Sequence, residues 1–175
     1  MAQRTPKRLN ANGLMTYAAQ ALSARALTIS ELREKLKRRA AESADVDEVL
    51  ARLKESGYLN DQRFAESYAS WRRDDGGFGK TRVMRDLMAR RVAPAVAKQA
   101  AEAAYKGTDE VAMIEKFLAR KYRGKDLAAL LKEEKHLASA YRKLRTSGFS
   151  TSNSVRVLKR YAEHAELLED NDEEP

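Results

Sequence analysis

The sequence predicts an all-α protein: three tandem three-helix, helix-turn-helix-like repeats in an elongated, curved molecule that ends in a disordered acidic tail. Three observations predict it. Ala, Leu, Glu, Lys and Arg dominate while Gly (8) and Pro (3) are scarce, a helix-forming composition. Apolar residues recur at spacings of three and four, as on one face of a helix. One long helix followed by two short ones recurs along the chain, and bundles that small must share surface with their neighbours. A hydrophobic fraction of 43% suffices for such cores.

The repeats span residues 13–58, 59–107 and 108–165, between a flexible basic N-terminus (1–12) and the tail (166–175). In the first, Leu14, Tyr17, Ala18, Ala21 and Leu22 mark an amphipathic helix. Thr28-Ile29-Ser30-Glu31 has capping-box spacing and opens a second helix that buries Leu32 and Leu36. Asp45 with Glu48 is read as the cap of a third, with Val46, Val49, Leu50 and Leu53 inward. Gly57 stops it, and Tyr58 is expected to pack back on the helix end.

The second repeat opens at Asn60, a helix cap. Phe64, Tyr68 and Trp71 follow at spacings of four and three and so share one helical face; that spacing reads as core rather than as a base-stacking platform. A glycine turn (Gly76, Gly77, Gly79) leads to a short helix on Val83 and Leu87, with Phe78 read as a packing residue. The last helix begins around Pro94 and carries Val96, Ala100 and Ala104. In the third repeat, Thr108 and Asp109 precede Val111, Ile114, Phe117, Leu118 and Tyr122. A charged insertion, Arg123 to Glu134, separates these from Leu137, Ala140, Tyr141 and Leu144, then Gly148-Phe149, then Val157, Leu158 and Tyr161. Leu36, Leu87 and Leu144 hold matching places, and Val92 and Phe149 follow the last two at the same offset of five.

Net charge is +8, but Glu166, Glu169, Asp170, Asp172, Glu173 and Glu174 crowd the last ten residues, which hold no Lys or Arg. Residues 1–165 therefore carry +14, with all 34 lysines and arginines against 20 acids. A body that basic suits nucleic acid or a nucleoprotein. Cysteine is absent, which excludes disulfides, thiolate catalysis and cysteine-ligated zinc and fits a cytoplasmic chain. No apolar run approaches the roughly 20 residues of a membrane helix, and Arg4, Lys7 and Arg8 precede a polar stretch rather than a signal-peptide core. His136 and His164 have no acidic partners at metal-ligand spacing. Gly76-Gly77-Phe78-Gly79-Lys80-Thr81 lacks the spacing and the preceding strand of a phosphate-binding loop. An enzyme, a metal and a cofactor are not expected.

GYLNDQRFAESY (Gly57 to Tyr68), GFGKTRVMRDLMARRV (Gly77 to Val92) and ARKYRGK (Ala119 to Lys125) together resemble the RecX family of RecA regulators, across roughly Leu14 to Tyr161. The chain departs from that pattern at Asn60 (usually an acid), Lys80 (usually proline), Arg91 (usually glycine) and in the extra residues Ala41 to Ala44. Arg91 is the costly one: if its backbone must be left-handed, a side chain there costs about 1–2 kcal/mol. The resemblance implies a non-enzymatic, monomeric modulator that lies along the RecA filament on single-stranded DNA and binds double-stranded DNA weakly. It would restrain ATP hydrolysis, strand exchange and co-protease action, and with them the SOS response.

The residues expected to meet filament or DNA are Arg72, Arg73, Lys80, Arg82, Arg85, Arg90 and Arg91 around the glycine turn. A second patch, Lys121, Arg123 and Lys125 with Arg120, follows in the third repeat. Arg82 and Arg85 are three apart and are read as one outward face, away from Val83 and Leu87. Arginine's planar fork grips phosphate and carboxylate alike; the bland alternative is a solvated basic surface. Two rivals remain: a helix-turn-helix transcription regulator reading the major groove, and a protein–protein adaptor without DNA affinity. No second helix carries the Asn- or Gln-rich face that suits base reading. The acidic tail is either a solubilising end or a competitor for the basic face.

Overall fold

Side-chain caps and left-handed stops cut the described chain, residues 8–162 and 165 of a computed structural model, into ten helices. They are α1 (Ala11–Ala24), α2 (Ile29–Lys37), α3 (Ser43–Glu55), α4 (Asp61–Asp74), α5 (Lys80–Ala89), α6 (Pro94–Tyr105), α7 (Glu110–Lys121), α8 (Leu127–Leu131), α9 (Glu134–Thr146) and α10 (Thr151–Leu158). No strand occurs among the described residues; Leu9 and Ala40 form an isolated parallel bridge. The tail 166–175, His164 and residues 1–7 of the basic N-terminus lie outside the described residues.

Several starts follow the sequence. Thr28 and Glu31 close a full capping box on α2. Asn60 Oδ1 accepts from the Arg63 N–H at 2.9 Å, and Asp109, Asp126 and Ser150 cap α7, α8 and α10. Each such cap contributes on the order of 1 kcal/mol. The third helix departs from expectation: α3 begins at Ser43 behind Glu42, which makes no side-chain cap bond, and Asp45 sits in the first turn, where a carboxylate favours the helix dipole. The charged insertion also hides a helix. Asp126 caps α8, and Leu131 at its end is fully buried.

The shared offset of five has a backbone cause. At the end of α9, the Phe149 N–H reaches the Leu144 carbonyl (3.2 Å) and the Gly148 N–H reaches Arg145 (3.0 Å). At the end of α5, Val92 reaches Leu87 (3.1 Å) and Arg91 reaches Met88 (2.8 Å). These paired bonds are the Schellman motif, which needs a left-handed residue between helix and apolar anchor. Gly148 supplies it at φ 89, but at α5 it is Arg91, at φ 60. The left-handed backbone suspected from the sequence is present, on a residue that bears a Cβ. After Gly57 the expectation fails: Tyr58 is 73% exposed, and Leu59 is the buried residue, its N–H reaching the Leu53 carbonyl at 3.1 Å.

The chain folds as two compact units, Met1–Tyr68 with Leu87–Ala100 and Ala69–Asp86 with Ala101–Pro175. The middle repeat contributes to both. Its buried residues are largely alanines (Ala65, Ala69, Ala97, Ala100, Ala101 and Ala104), too small to sustain a core of their own. In the first unit, α1, α2 and α3 enclose Leu14, Leu32, Leu36, Val46, Val49 and Leu50. The Thr28 hydroxyl there donates to the Arg90 carbonyl (3.0 Å), and the Ile29 N–H donates to Asp61 (2.8 Å). In the second unit, α7, α9 and α10 enclose Ile114, Phe117, Leu137, Leu144, Phe149 and Leu158. The Gly79 N–H donates to the Ser147 carbonyl (2.8 Å) and the Thr81 N–H to the Gly148 carbonyl (3.2 Å). A Cβ on Gly79 would strike the Gly148 carbonyl, so glycine is required by the close approach of two backbones.

Candidate functional site

The basic cluster around the glycine turn is largely internal wiring. α4 turns Ala65 and Ala69 inward, and Arg72, seven residues beyond Ala65, continues that stripe. Its guanidinium lies 4.0 Å from the Phe78 ring centroid and its Nη2 donates to Asp86 at 2.6 Å. Arg82 Nε donates to the other Asp86 oxygen at 2.9 Å. Arg72 and Asp86 are 16% and 18% exposed at their side chains, so this carboxylate serves two guanidiniums away from bulk water. Burial alone would raise the Asp86 carboxyl, but hydrogen bonds from Arg72 and Arg82 outweigh it and hold the pKa below the usual carboxylate range.

The turn itself is fastened from three sides. Arg73 pairs with Asp74 (2.7 Å) and donates to the Ala104 carbonyl. The Tyr105 hydroxyl donates to the Phe78 carbonyl, and burial pushes its pKa up to about 12. Arg120 Nη2 donates to the Gly76 carbonyl at 2.8 Å. Fastened this way, Gly77 takes φ 60 and the turn delivers Gly79 to its backbone partner.

Of the ten cations expected to bind, Arg72, Arg73 and Arg82 have internal partners, and Arg82, turned to Asp86, is less open to solvent than Arg85. Arg82 also bonds the Thr146 carbonyl (3.4 Å), because the α9–α10 turn passes over it. Arg85 points to solvent and has no ion-pair partner among the described residues. Lys80 meets Glu102 loosely at 3.9 Å. Arg90 and Arg91 face α2 in the first unit, near Glu31 (3.4 Å) and Glu34 (3.8 Å). Lys121, Arg123 and Lys125 are exposed, with no ion-pair partner among the described residues. They share the α7–α8 turn, bent by Gly124 at φ 78 and held at Tyr122 by Lys143 Nζ (3.2 Å). These three and Arg85 offer cationic charge that no ion pair among the described residues neutralises.

Trp71 was expected in the core, and it is 53% exposed. The inward stripe of α4 is Ala65–Ala69–Arg72, so the aromatic stripe lies one residue to its flank and emerges progressively from Phe64 to Trp71. Arg72 takes the inward place because Asp86 is there to pair with it. Sequence reading also missed Arg25, Lys35 and Arg38, which line a cleft with Arg90 and Arg91. Their only signal was the spacing of Arg38 four and seven residues after Glu34 and Glu31 on the outer face of α2. No helix among the described residues is long and apolar enough to cross a membrane.

Family models described as the first and second three-helix domains of RecX match residues 15–53 and 60–100. The regulatory protein RecX of Deinococcus radiodurans is 33% identical over 150 residues, 86% of this chain and 69% of that protein. That of Trichlorobacter lovleyi is 29% identical, over 81% of this chain and 90% of that protein. The crystal structure of RecX from Lactobacillus salivarius superposes with a TM-score of 0.64 at 20% identity, covering 86% of this chain and 96% of that one. Another, titled regulatory protein RecX, gives 0.67 at 19% identity, over 84% and 72%. The three-helix plan, the left-handed stops and this likeness along most of the chain agree, and the chain belongs to the RecX family.

Proposed function

We propose that this protein is a non-enzymatic, cytoplasmic regulator of RecA that acts as a monomer on the RecA filament assembled on single-stranded DNA. It restrains the filament's ATPase, strand-exchange and co-protease activities and so damps recombination, repair and the SOS response. The observation that carries the reading is the 33% identity to a regulatory protein RecX across 86% of the chain. The exposed cations Arg85, Lys121, Arg123 and Lys125, without an ion-pair partner among the described residues, support it. Sequence-blind attraction to phosphates or acidic protein rims needs charge that is not already spent on internal partners. A regulator of this kind need catalyse nothing; it shifts a filament between states in proportion to its differential affinity for them.

RecA ATPase on single-stranded DNA, titrated with this protein, tests the reading alongside DNA anisotropy across sequences and salt. Inhibition is expected, with weak, salt-steep, sequence-blind DNA binding, stronger for single strands than for duplex. Strong preference for one duplex sequence would favour a helix-turn-helix transcription regulator instead. An unchanged ATPase rate at saturating protein would remove the proposal.

A further inference from the structure

We propose that the cleft between the outer face of α2 and the end of α5 holds a phosphodiester of a nucleic-acid backbone. This rests on the polyanion reading above, and joins Arg25, Lys35 and Arg38 to Arg90 and Arg91, which the sequence already placed among the expected contacts. The cleft has a volume of about 230 Å³. Arg25, Lys35, Arg38, Arg90 and Arg91 line it against Glu31 and Glu34, a surplus of three positive charges.

The pairing inside the cleft is loose. Arg25–Glu31, Arg90–Glu31 and Arg91–Glu34 lie at 3.5, 3.4 and 3.8 Å. At Asp86 the corresponding distances are 2.6 and 2.9 Å, and those guanidiniums are spent. Among the described residues Lys35 has no ion-pair partner, and the Arg38 side chain bonds only the Glu34 carbonyl, at 3.1 Å. An incoming anion would therefore meet donors that need not first break a short ion pair.

Two further features set the cleft apart from an ordinary charged surface. Arg90 is held in place: its guanidinium lies over both Phe64 and Tyr68, at 5.1 and 5.2 Å from the ring centroids. Arg91 occupies the left-handed stop at φ 60, where glycine would be free of strain, and its side chain reaches the cleft. A strained residue that persists where a simpler one would serve points to use of its side chain. The lining favours phosphate over an acidic peptide. Its one apolar residue is Ala89, so a peptide's apolar side chains would find no seat, whereas arginine forks and the Ser30 hydroxyl match a tetrahedral oxyanion.

The test uses the full chain, a labelled oligothymidylate and anisotropy over a range of salt. Arg25→Ala/Lys35→Ala/Arg38→Ala removes three cations, and each single-strand phosphate contact contributes about 0.7 to the slope of log K against log salt. The slope should fall by about 2, and affinity at low salt by roughly tenfold or more, with helix content unchanged by circular dichroism. A control, Lys132→Ala/Lys135→Ala/Arg142→Ala, removes equal charge from exposed positions elsewhere and should move the slope much less. An unchanged slope in the cleft variant, or an equal fall in the control, overturns the inference. So does selective loss of polyglutamate binding with DNA binding intact. The variant Lys121→Ala/Arg123→Ala/Lys125→Ala separates the two proposals. If it lowers the slope and the cleft variant does not, the cleft inference falls and the polyanion reading stands; if neither lowers it, the polyanion reading itself falls.

Discussion

Arg91→Gly should raise the stability of the chain while weakening its hold on a polyanion, and the two effects have separate origins. The gain comes from the backbone: at φ 60 a residue with a Cβ costs about 1–2 kcal/mol, which glycine avoids. Against it stands the greater freedom glycine has in the unfolded chain, about 0.5–1 kcal/mol. The Arg91–Glu34 pair is also lost, but at 3.8 Å with side chains 69% and 50% exposed it is worth a few tenths of a kcal/mol at most. The net gain is about 0.5 kcal/mol, or roughly 1–2 °C in Tm for a chain of this size. Arg91→Ala isolates the cause, because it loses the same pair and keeps the strain. Urea unfolding followed by circular dichroism should place glycine about 1 kcal/mol above alanine. Equal stability of the two variants would show that the Schellman stop of α5 is not strained, and would take away one support of the cleft inference.

Asp86→Asn should cost about 2 kcal/mol at neutral pH by leaving two guanidiniums, one nearly buried, without their shared carboxylate. Because the folded state holds the Asp86 pKa below its unfolded value of 3.8, its contribution is complete above that value and fades as pH falls through the folded one. The gap between wild type and variant, read from urea midpoints, should therefore shrink below about pH 4; a gap that widens in acid would contradict the pairing. Gly79→Ala should cost on the order of 2–4 kcal/mol by forcing apart the backbones at Ser147 and Gly148. Gly57→Ala, where a Cβ meets nothing within 4 Å, should cost only the left-handed penalty of about 1 kcal/mol; equal losses in a denaturation series would argue against the close approach. Trp71 is the chain's single tryptophan, and its fluorescence in the folded state should be readily quenched by acrylamide. Strong protection would restore the core assignment.

The parts that were legible in the sequence are those governed by neighbours a few residues apart. The Thr28–Glu31 box, the Asn60 cap, the start at Pro94 and the buried leucines of α1, α2 and α9 follow from local hydrogen bonds and helical period. The left-handed backbone at Arg91 was legible only through the family resemblance, which usually places glycine there. The binding face was less legible, because a cation's availability depends on what lies opposite it. Asp86 claims Arg72 from fourteen residues away, and the Thr146 carbonyl meets Arg82 from sixty-four. No periodicity encodes such pairings.

The same cause moved Trp71 outward: an alanine stripe ending in a paired arginine outranked an aromatic stripe one residue aside, and only the position of Asp86 on α5 decides between them. It also assembled a cleft from Arg25, Lys35 and Arg38 with Arg90 and Arg91, two groups more than fifty residues apart in the chain. By itself, then, the order of residues determined that this protein is a helical three-repeat chain with a cationic body and where several of its helices begin or end. Those properties arise from backbone geometry and solvent preference within each turn. Which of its arginines are held inside and which are free to meet another molecule was decided by tertiary packing, because charge is satisfied across space and not along the chain.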